Sequence, residues 1–514
     1  MRRAGILLHP TSLPGAGPSG DLGPGARAFL DWLEAAGCTL WQVLPLCPTG
    51  GAFSPYDSPC AMGLSTDLLS LEDLVADGLL SAAELGALPG GDERVDLGAL
   101  SGWHAPRVAL AARRLAAQDP AALQAFRLAQ PWVQDWGLYL ALTQAHDTRW
   151  GWWDLPAPLR DRDPRALAQA LDRRASIVDS HIAAQLLVHR QWAALRALAN
   201  QRGIQIVGDV PIFVSGGGVD TWANRSLFRW GPPLPDGRPA PDPVAGVPPD
   251  YFSPTGQRWG NPLYDWPAHA AQGYAWWCQR LRAAFLACDA VRIDHFRGFC
   301  AAWAVPADAP DATTGRWTPG PGRQLFDALE AELRATPPPG IDLSQGLPIV
   351  AEDLGLITPD VEALRDELGL PGMKILQFAF GGPRDHTFLP HTWTHDRWVA
   401  YSGTHDNDTI RGWYDTTDEA ARDHFRRYVG RDGHEPHWQL FQPLLSSIAR
   451  WVVLPMQDIF GLGSEHRMNR PGETDGNWLW RARDLPSGPA GRLRELVELY
   501  SRLPSPEPTA PQAL

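Results

Sequence analysis

The sequence predicts an α/β fold, a TIM (β/α)8 barrel with inserted, mainly helical subdomains. Short runs rich in Val, Ile and Leu recur along the 514 residues, and continuous apolar runs are typical of parallel strands buried on both faces. Helical patterns separate several runs, and this alternation favours a parallel sheet. The eight runs are 4–8, 39–46, 204–210, 290–294, 347–352, 372–378, 397–402 and 451–456.

The number of runs favours closure of the sheet into a barrel. An open, doubly wound sheet is the alternative, but no glycine-rich phosphate loop follows the first run, as that fold usually requires. Residues 25–37 and 359–369 carry helical patterns that end in Gly37 and Gly369, which suit the left-handed residue after a helix. A last helix is expected near 490–503.

The spacing of the runs predicts the domain organisation. We expect one catalytic barrel over 1–500, interrupted at about 47–203 by a mainly helical insertion. A second insertion at about 211–289 is expected to contain loop and helix, and it follows a strand end, so it should cover the barrel mouth. The Pro-rich tail 504–514 is expected to be disordered.

Composition excludes several classes of function. Hydrophobic residues make up 44% of the chain and charged residues 20%, which predicts a sizeable core. The net charge of −13 disfavours nucleic acid and anionic membranes as partners and is compatible with a neutral substrate. Lysine occurs once, as Lys374, so no other lysine can serve as a nucleophile.

The cysteine pattern and the amino terminus predict a cytoplasmic protein. The six cysteines form no C-x-x-C pair, so neither a disulfide framework nor a zinc site is expected. The first apolar run is brief and ends at His9 and Pro10, unlike a secretory signal. No run approaches the roughly 18 apolar residues of a membrane helix.

Acidic residues follow several of the predicted strands. Asp294 ends AVRID, Glu352 ends LPIVAE, and Asp406 lies in the GTHDND loop after the seventh run. Active sites of α/β barrels are built at these strand ends. Gathered carboxylates suit glycosidic bond chemistry, in which one acid protonates the leaving oxygen and another attacks or stabilises the sugar cation.

Residues next to Asp294 and Glu352 affect how these two acids are interpreted. Arg292 shares a strand face with Asp294 and would keep it ionised, as a nucleophile requires, although a structural ion pair at the rim explains the pattern equally well. Glu352 stands beside Asp353, and alternation cannot decide which of them points into the barrel. A cap for the helix beginning near Pro359 is the alternative role.

The remaining candidates are weaker when each is taken alone. His405 and Asp406 could bind a metal or a sugar, with Asp408 as a rival, but a solvated loop is the commoner explanation. Asp209 ends the third run, and its apolar surroundings demand a partner. Among 24 tryptophans, most of which should pack in the core, Trp259 stands in a Gly/Pro-bounded loop where it could stack on a sugar.

Longer motifs add a resemblance. In order from residue 5 to about 480 they are HPTSLPG, WQVLPLCPTG, SPYDS, GDVPIFV, GVPPDYFSPTGQRWGNPLY, VRIDHFRGF, VAEDLG, PGMKILQFAF, YSGTHDNDT and SEHRMNRPG. Together they resemble glycoside hydrolase family 77, the amylomaltase or 4-α-glucanotransferase family, whose barrel is related to that of α-amylase.

The resemblance implies a role for each acid. Asp294 matches the nucleophile, Glu352 the general acid/base, and Asp406 the carboxylate that stabilises the transition state. Residues matching those that hold the sugar in the central subsite are Tyr56, Asp209, Arg292, His295 and His405. Residues matching the flexible loop over the glucan are Tyr251, Phe252, Gln257 and Trp259. Asn469 matches a position on the substrate-binding rim.

The implied activity is transfer of α-1,4-glucan segments to the 4-hydroxyl of an acceptor sugar by a retaining double displacement. The donor would be a malto-oligosaccharide or starch-type glucan and the acceptor glucose or maltodextrin, with no cofactor and no metal. Departures from the family pattern include Gly381 and Gly382, where an acid is common.

Three other functions compete with transfer. An α-1,4-glucan hydrolase of the α-amylase type would use the same catalytic residues. A metal-dependent amidohydrolase would want an H-x-H pair on the first strand, where His9 stands alone. A glycan-binding protein without catalysis would bind sugar and show no turnover.

Overall fold

The computed structural model describes residues 2–148, 151–249 and 253–503. The expected disordered tail 504–514 lies outside these residues. The described chain forms the following strands: β1 (Arg3–Leu7), β2 (Leu40–Gln42), β3 (Gln205–Pro211), β4 (Val244–Val247), β5 (Gln257–Pro262), β6 (Ala290–Asp294), β7 (Ala301–Val305), β8 (Arg316–Pro319), β9 (Ile349–Ala351), β10 (Gly372–Ile375), β11 (Trp398–Tyr401) and β12 (Trp451–Pro455).

Eight of these strands form the barrel, in the order β10-β11-β12-β1-β2-β3-β6-β9, and neighbouring strands in this order pair in parallel. The amide of Ala351 at the end of β9 donates to the carbonyl of Pro371 just before β10 at 2.9 Å, which brings the two edges together. The eight predicted runs are all confirmed, and several strands are shorter than their runs.

Helices surround the barrel and fill the long intervals between strands. Their bounds are α1 (Pro24–Ala35), α2 (Leu71–Ala76), α3 (Ala82–Leu85), α4 (Leu97–Ala99), α5 (Ala105–Gln118), α6 (Pro120–Ala129), α7 (Trp132–Ala145), α8 (Ala157–Arg160), α9 (Pro164–Gln201), α10 (Val219–Ala223), α11 (Trp266–Ala271), α12 (Ala275–Ala287), α13 (Arg323–Ala335), α14 (Pro359–Glu367), α15 (Ile410–Thr416), α16 (Glu419–Val429), α17 (Pro436–Ser446), α18 (Met456–Phe460) and α19 (Ser487–Leu499). None of the helices in the described ranges combines the length and apolar character needed to cross a bilayer.

Glycines end two of the barrel helices, as the sequence predicts. Gly37 follows α1 with φ +70° and Gly369 follows α14 with φ +67°. Only glycine adopts this left-handed conformation without steric cost, so each position lets the chain turn sharply towards the next strand.

The interval 47–203 is mainly helical, with α2 to α9 in sequence. Its last helix, α9, is 38 residues long and kinked at Arg174, where φ is −121° and ψ is 16°. Trp192 of α9 packs against Trp41 of β2, with ring centroids 6.2 Å apart. The insertion therefore leaves the barrel after β2 and returns to it through one long helix.

A second sheet lies outside the barrel and was not predicted. It has the antiparallel order β5-β4-β7-β8. The interval 211–289 was expected to contain loop and helix, and besides α10, α11 and α12 it supplies β4 and β5. The sequence of β5, QRWGNP, is mostly exposed and lacks apolar alternation, so nothing in it signals a strand. The division into barrel and insertions stays a prediction.

The guanidinium of Arg502 fixes the carboxyl-terminal end of the described chain to the barrel. Its side chain is fully buried, and it donates hydrogen bonds to five backbone carbonyls. The acceptors are Leu445 (2.7 Å), Ala449 (3.0 Å), Ser447 (3.0 Å), Arg3 (3.2 Å) and Leu444 (3.3 Å). One side chain thereby joins the chain beyond α19 to the starts of β1 and β12.

We expect Arg502→Ala to lower the free energy of unfolding by about 3 kcal/mol or more, because several buried carbonyls lose their donor together. Urea unfolding measures the loss. Arg494→Ala is the control: this α19 residue is half-exposed and pairs with Glu498 on the surface, so its loss should be within about 0.5 kcal/mol. Equal losses for the two arginine variants would contradict the anchoring role of Arg502.

Candidate active site

The candidate residues gather at the carboxyl-terminal rim of the barrel. Asp209 lies in β3 and Asp294 is the last residue of β6. Glu352 follows β9 directly, and Asp406 lies five residues beyond the end of β11. In the parallel register Asp209 stands opposite Arg292, which brings the side chains of two neighbouring strands together.

Arg292 links two of the carboxylates. Its Nη1 donates to Asp209 Oδ2 at 2.7 Å and its Nη2 donates to Asp294 Oδ1 at 2.6 Å. The Arg292 side chain is only 5% exposed and that of Asp209 is 0% exposed, whereas that of Asp294 is 31% exposed. Burial opposes the charge of Arg292, but Asp209 and Asp294 outweigh it and raise the pKa of Arg292 well above its usual range. The guanidinium therefore stays charged.

Asp209 has a second partner on the loop after β2. The hydroxyl of Tyr56 donates to Asp209 Oδ2 at 2.8 Å. Burial raises the pKa of Asp209 to about 6, against the opposing effect of Arg292 and Tyr56. This residue is still largely ionised at neutral pH, and its position behind Arg292 makes it a support for Asp294.

Glu352 occupies a different environment. Its Oε2 accepts from the backbone N–H of His295 at 2.7 Å and its Oε1 accepts from that of Leu354 at 2.8 Å. His295 adopts a left-handed conformation (φ +54°) immediately after β6. Burial, and next the charge of Asp294, raise the pKa of Glu352 to about 7. A pKa near neutrality suits a group that must both give and take a proton at neutral pH.

Asp406 is held by contacts from two segments. Its Oδ1 accepts from Asn469 Nδ2 at 2.6 Å, its Oδ2 lies 3.2 Å from His405 Nε2, and its backbone carbonyl accepts from Arg467 at 3.0 Å. The backbone N–H of Asn469 also donates to the carbonyl of His405 at 3.0 Å, which joins the two segments. Burial acts to raise the pKa of Asp406, but His405, Asn469 and Arg292 together hold it below its usual range.

The two rival acids have structural partners instead. Asp353 forms an ion pair with Arg365 and accepts from the amide of Met373 at 2.7 Å, so it ties the loop after β9 to β10. Asp408 accepts from the hydroxyl of Ser464 at 2.8 Å. Both rivals therefore serve scaffold contacts, whereas Glu352 and Asp406 lie near enough to Arg292 for its charge to act on their pKa values.

Three aromatic rings support the site from one side. Tyr56 stacks on His405 with centroids 5.0 Å apart, and Trp478 contacts Tyr56 at 5.6 Å and His405 at 5.9 Å. Trp478, which is buried and has φ +66°, was not predicted from the sequence. With 24 tryptophans in the chain, its only signal was its place in the loop nine residues after Asn469.

The candidate loop residues lie against His295. The indole Nε1 of Trp259 donates to Gln257 Oε1 at 3.1 Å, and the Trp259 ring meets the His295 ring edge-on at 4.9 Å. Trp259 is 38% exposed, so a face remains open to the cleft. The predicted residues Tyr251 and Phe252 lie outside the described residues.

Known proteins resemble this chain over nearly its whole length. A family described as 4-alpha-glucanotransferase matches residues 8–486. The 4-alpha-glucanotransferase of Thermus thermophilus is 44% identical, with 98% of this chain and 99% of the relative covered. The chloroplastic/amyloplastic 4-alpha-glucanotransferase of Solanum tuberosum is 43% identical, covering 98% and 87%. The solved amylomaltase from Streptococcus agalactiae in complex with acarbose has a TM-score of 0.90 at 33% identity, covering 98% and 100%.

We expect the stability cost of Glu352 to depend on pH. Its pKa in the folded chain is about 7 against an ordinary 4.5, so the folded state loses stability as pH rises from 4.5 to 7 and loses no more above that. Glu352→Gln removes this titration. The free energy of unfolding of the variant minus that of the wild type should therefore grow by about 3 kcal/mol between these limits.

Urea unfolding at pH 5, 6, 7 and 8 measures this difference. The matched control is Glu362→Gln on the exposed face of α14, a surface substitution that should change the free energy of unfolding by no more than about 0.5 kcal/mol. A Glu352→Gln difference that does not change with pH would show that the carboxyl group has an ordinary acidity.

Proposed function

The chain belongs to the 4-alpha-glucanotransferase family, and we propose that Asp294 is its nucleophile, Glu352 its general acid/base and Asp406 its transition-state stabiliser. The observation that carries this assignment is the different environment of three neighbouring carboxyl groups. Asp294 accepts from the charged guanidinium of Arg292, whereas burial beside Asp294 favours the protonated form of Glu352. A retaining glycosyl transfer needs an oriented nucleophile next to a proton donor.

In the first step Glu352 donates its proton to the glycosidic oxygen of an α-1,4 bond while Asp294 attacks the anomeric carbon. The carbon–oxygen bond breaks, the leaving chain departs with a neutral 4-hydroxyl, and the glycosyl segment is held as an ester of Asp294. The bond from Arg292 Nη2 orients the Asp294 side chain before attack.

In the second step the Glu352 carboxylate takes the proton of an acceptor 4-hydroxyl, whose oxygen attacks the same carbon and releases Asp294. Two inversions give overall retention. Asp406 is held ionised by His405 and Asn469. Its bonds to sugar hydroxyls would strengthen as positive charge develops on the ring, which is stabilisation specific to the transition state.

Transfer requires that an acceptor sugar outcompete water for the glycosyl ester. We assign water exclusion to Gln257 and Trp259, which lie on β5 over His295. When water is excluded and the acceptor is bound in a fixed position, the acceptor hydroxyl has a higher effective concentration at the glycosyl ester than water has. Hydrolysis of the α-amylase type is not favoured, since the family match names a transferase.

The enzyme acts on α-1,4-glucans as a glycosyltransferase. As finer proposals, the donors are malto-oligosaccharides or starch-type glucans, and the acceptors are glucose or maltodextrin. Arg292, Asp209, Tyr56, His295 and His405 would surround the central sugar. A cytoplasmic location is supported by the six free cysteines, since unpaired thiols are typical of reducing compartments.

Maltotriose as sole substrate tests the proposed function. We expect glucose together with oligomers longer than maltotriose, because each glycosyl ester is passed to a second sugar.

Asp294→Asn should lower the rate by roughly three orders of magnitude or more, since the nucleophile is lost. Chromatography of the products measures both, and Asp327→Asn on the exposed face of α13 is the control that should act like the wild type. A product mixture that contains only sugars shorter than maltotriose would establish hydrolysis. An active Asp294→Asn variant would refute the assignment of the nucleophile.

We expect Trp259→Ala to raise the ratio of hydrolysis to transfer by about threefold or more, because the cleft above His295 opens to water. The ratio is measured as reducing ends gained per maltotriose consumed. Trp259→Phe keeps an aromatic ring beside His295 and should stay near the wild-type ratio. An unchanged ratio in the Ala variant would refute the role in water exclusion.

A further inference from the structure

We propose that Asp458 is a positioning residue that fixes the loop carrying Asp406. The inference rests on the proposed role of Asp406 as transition-state stabiliser. Asp458 lies in α18, directly after the last barrel strand, and takes no part in the mechanism above. It is only 1% exposed.

The contacts of Asp458 join the two ends of one loop. Its Oδ2 accepts from the hydroxyl of Ser402 at 2.6 Å, and its Oδ1 accepts from the backbone N–H of Ile410 at 2.7 Å. Ser402 is the first residue after β11, and Ile410 is the first residue of α15. Asp406 stands midway between them, so a single carboxylate closes the loop at its base.

The contacts near the top of the loop come from the same part of the chain. Asn469 and Arg467 hold Asp406 directly, and Ser464 holds Asp408. These bonds set the direction of the Asp406 side chain, but they act on a loop whose ends must already be fixed. Asp458 fixes the two ends of the loop at Ser402 and Ile410. The segment 456–469 therefore bonds the loop both at its ends and near Asp406.

The burial of Asp458 without a cationic partner costs stability. Within the described residues no arginine or lysine forms an ion pair with it. Burial raises its pKa to about 7, Asp408 adds to this, and only the bonds from Ser402 and Ile410 oppose it. A buried carboxylate with two strong donors and no cation is a poor source of stability. What it does provide is a short, two-point connection between strand and helix.

Replacing this carboxylate should disturb catalysis more than substrate binding. In Asp458→Asn the amide oxygen can still accept from Ile410, but the amide nitrogen can only donate to the Ser402 hydroxyl. A short hydrogen bond to a carboxylate is thereby replaced by a longer and weaker one between neutral groups, which loosens one end of the loop. We expect kcat to fall by about 10- to 100-fold, as for a displacement of about 1 Å at a catalytic group. KM for maltotriose should stay within about threefold, because Asp406 acts mainly in the transition state.

A control separates this effect from lost stability. Asp289 is also buried and accepts from the backbone N–H of Ile206 at 2.7 Å, but it lies before β6 at the opposite end of the barrel. Asp289→Asn should lower the melting temperature and leave kcat unchanged. Equal losses of kcat in the two variants would overturn the proposal, and so would an unchanged kcat in Asp458→Asn.

A double-mutant cycle with Asp406→Asn tests the route of the effect. If Asp458 acts through Asp406, Asp458→Asn should lower kcat by less than about twofold in the Asp406→Asn background. An aryl maltoside with a good leaving group keeps these rates measurable. If Asp458→Asn lowers kcat by the same factor with and without Asp406→Asn, the two residues act independently and the positioning role is overturned. Wild-type rates for Asp406→Asn alone would instead refute the proposed function of Asp406.

Ser402→Ala keeps the test valid if Asp458→Asn does not fold. This variant removes one donor and leaves the carboxylate bonded to Ile410. We expect the same pattern in weaker form: a kcat lowered by about three- to tenfold, an almost unchanged KM and little further effect in the Asp406→Asn background. A wild-type kcat in Ser402→Ala would count against the proposal.

Discussion

The buried guanidinium of Arg292 is the interaction on which the site depends. It lies between Asp209 and Asp294, and the parallel register of β3 and β6 places it there. Without this cation, two carboxylates would share a buried rim with no compensating charge, and at least one would take up a proton. The guanidinium orients Asp294 and opposes the effect of burial on the pKa of Asp209.

Three carboxyl groups of one type acquire different properties from their surroundings. Asp294 has a guanidinium, Asp406 has an imidazole and an amide, and Glu352 has only two backbone N–H groups and a charged neighbour. The pKa of Glu352 therefore rises, while that of Asp406 falls. The chemical assignment rests on these differences in environment, since the bare presence of acids at a barrel rim would be compatible with many activities.

The sequence reveals the barrel because buried parallel strands carry continuous apolar runs, and all eight runs are strands. It reveals Asp294 because the run and the strand end at the same residue. Alternation could not choose between Glu352 and Asp353, because a shift of one residue reverses which side chain faces inward. The family resemblance favoured Glu352, and in the structure Asp353 is bonded to Arg365 and to the amide of Met373. The exposed strand β5 has no apolar period, so no pattern could predict it.

The side chains of the candidate active site are positioned in two ways. Asp209, Arg292 and Asp294 lie within strands, so the barrel ladder fixes their backbones. Asp406 lies five residues beyond β11, where no ladder reaches. A loop of that length has many conformations, and tying it down requires bonds along its course. The loop receives them from Asp458, Arg467 and Asn469, all on the segment after β12. The Asp406 loop therefore depends on side-chain bonds where the strand residues depend on the ladder, and this difference is the physical basis of the positioning role proposed for Asp458.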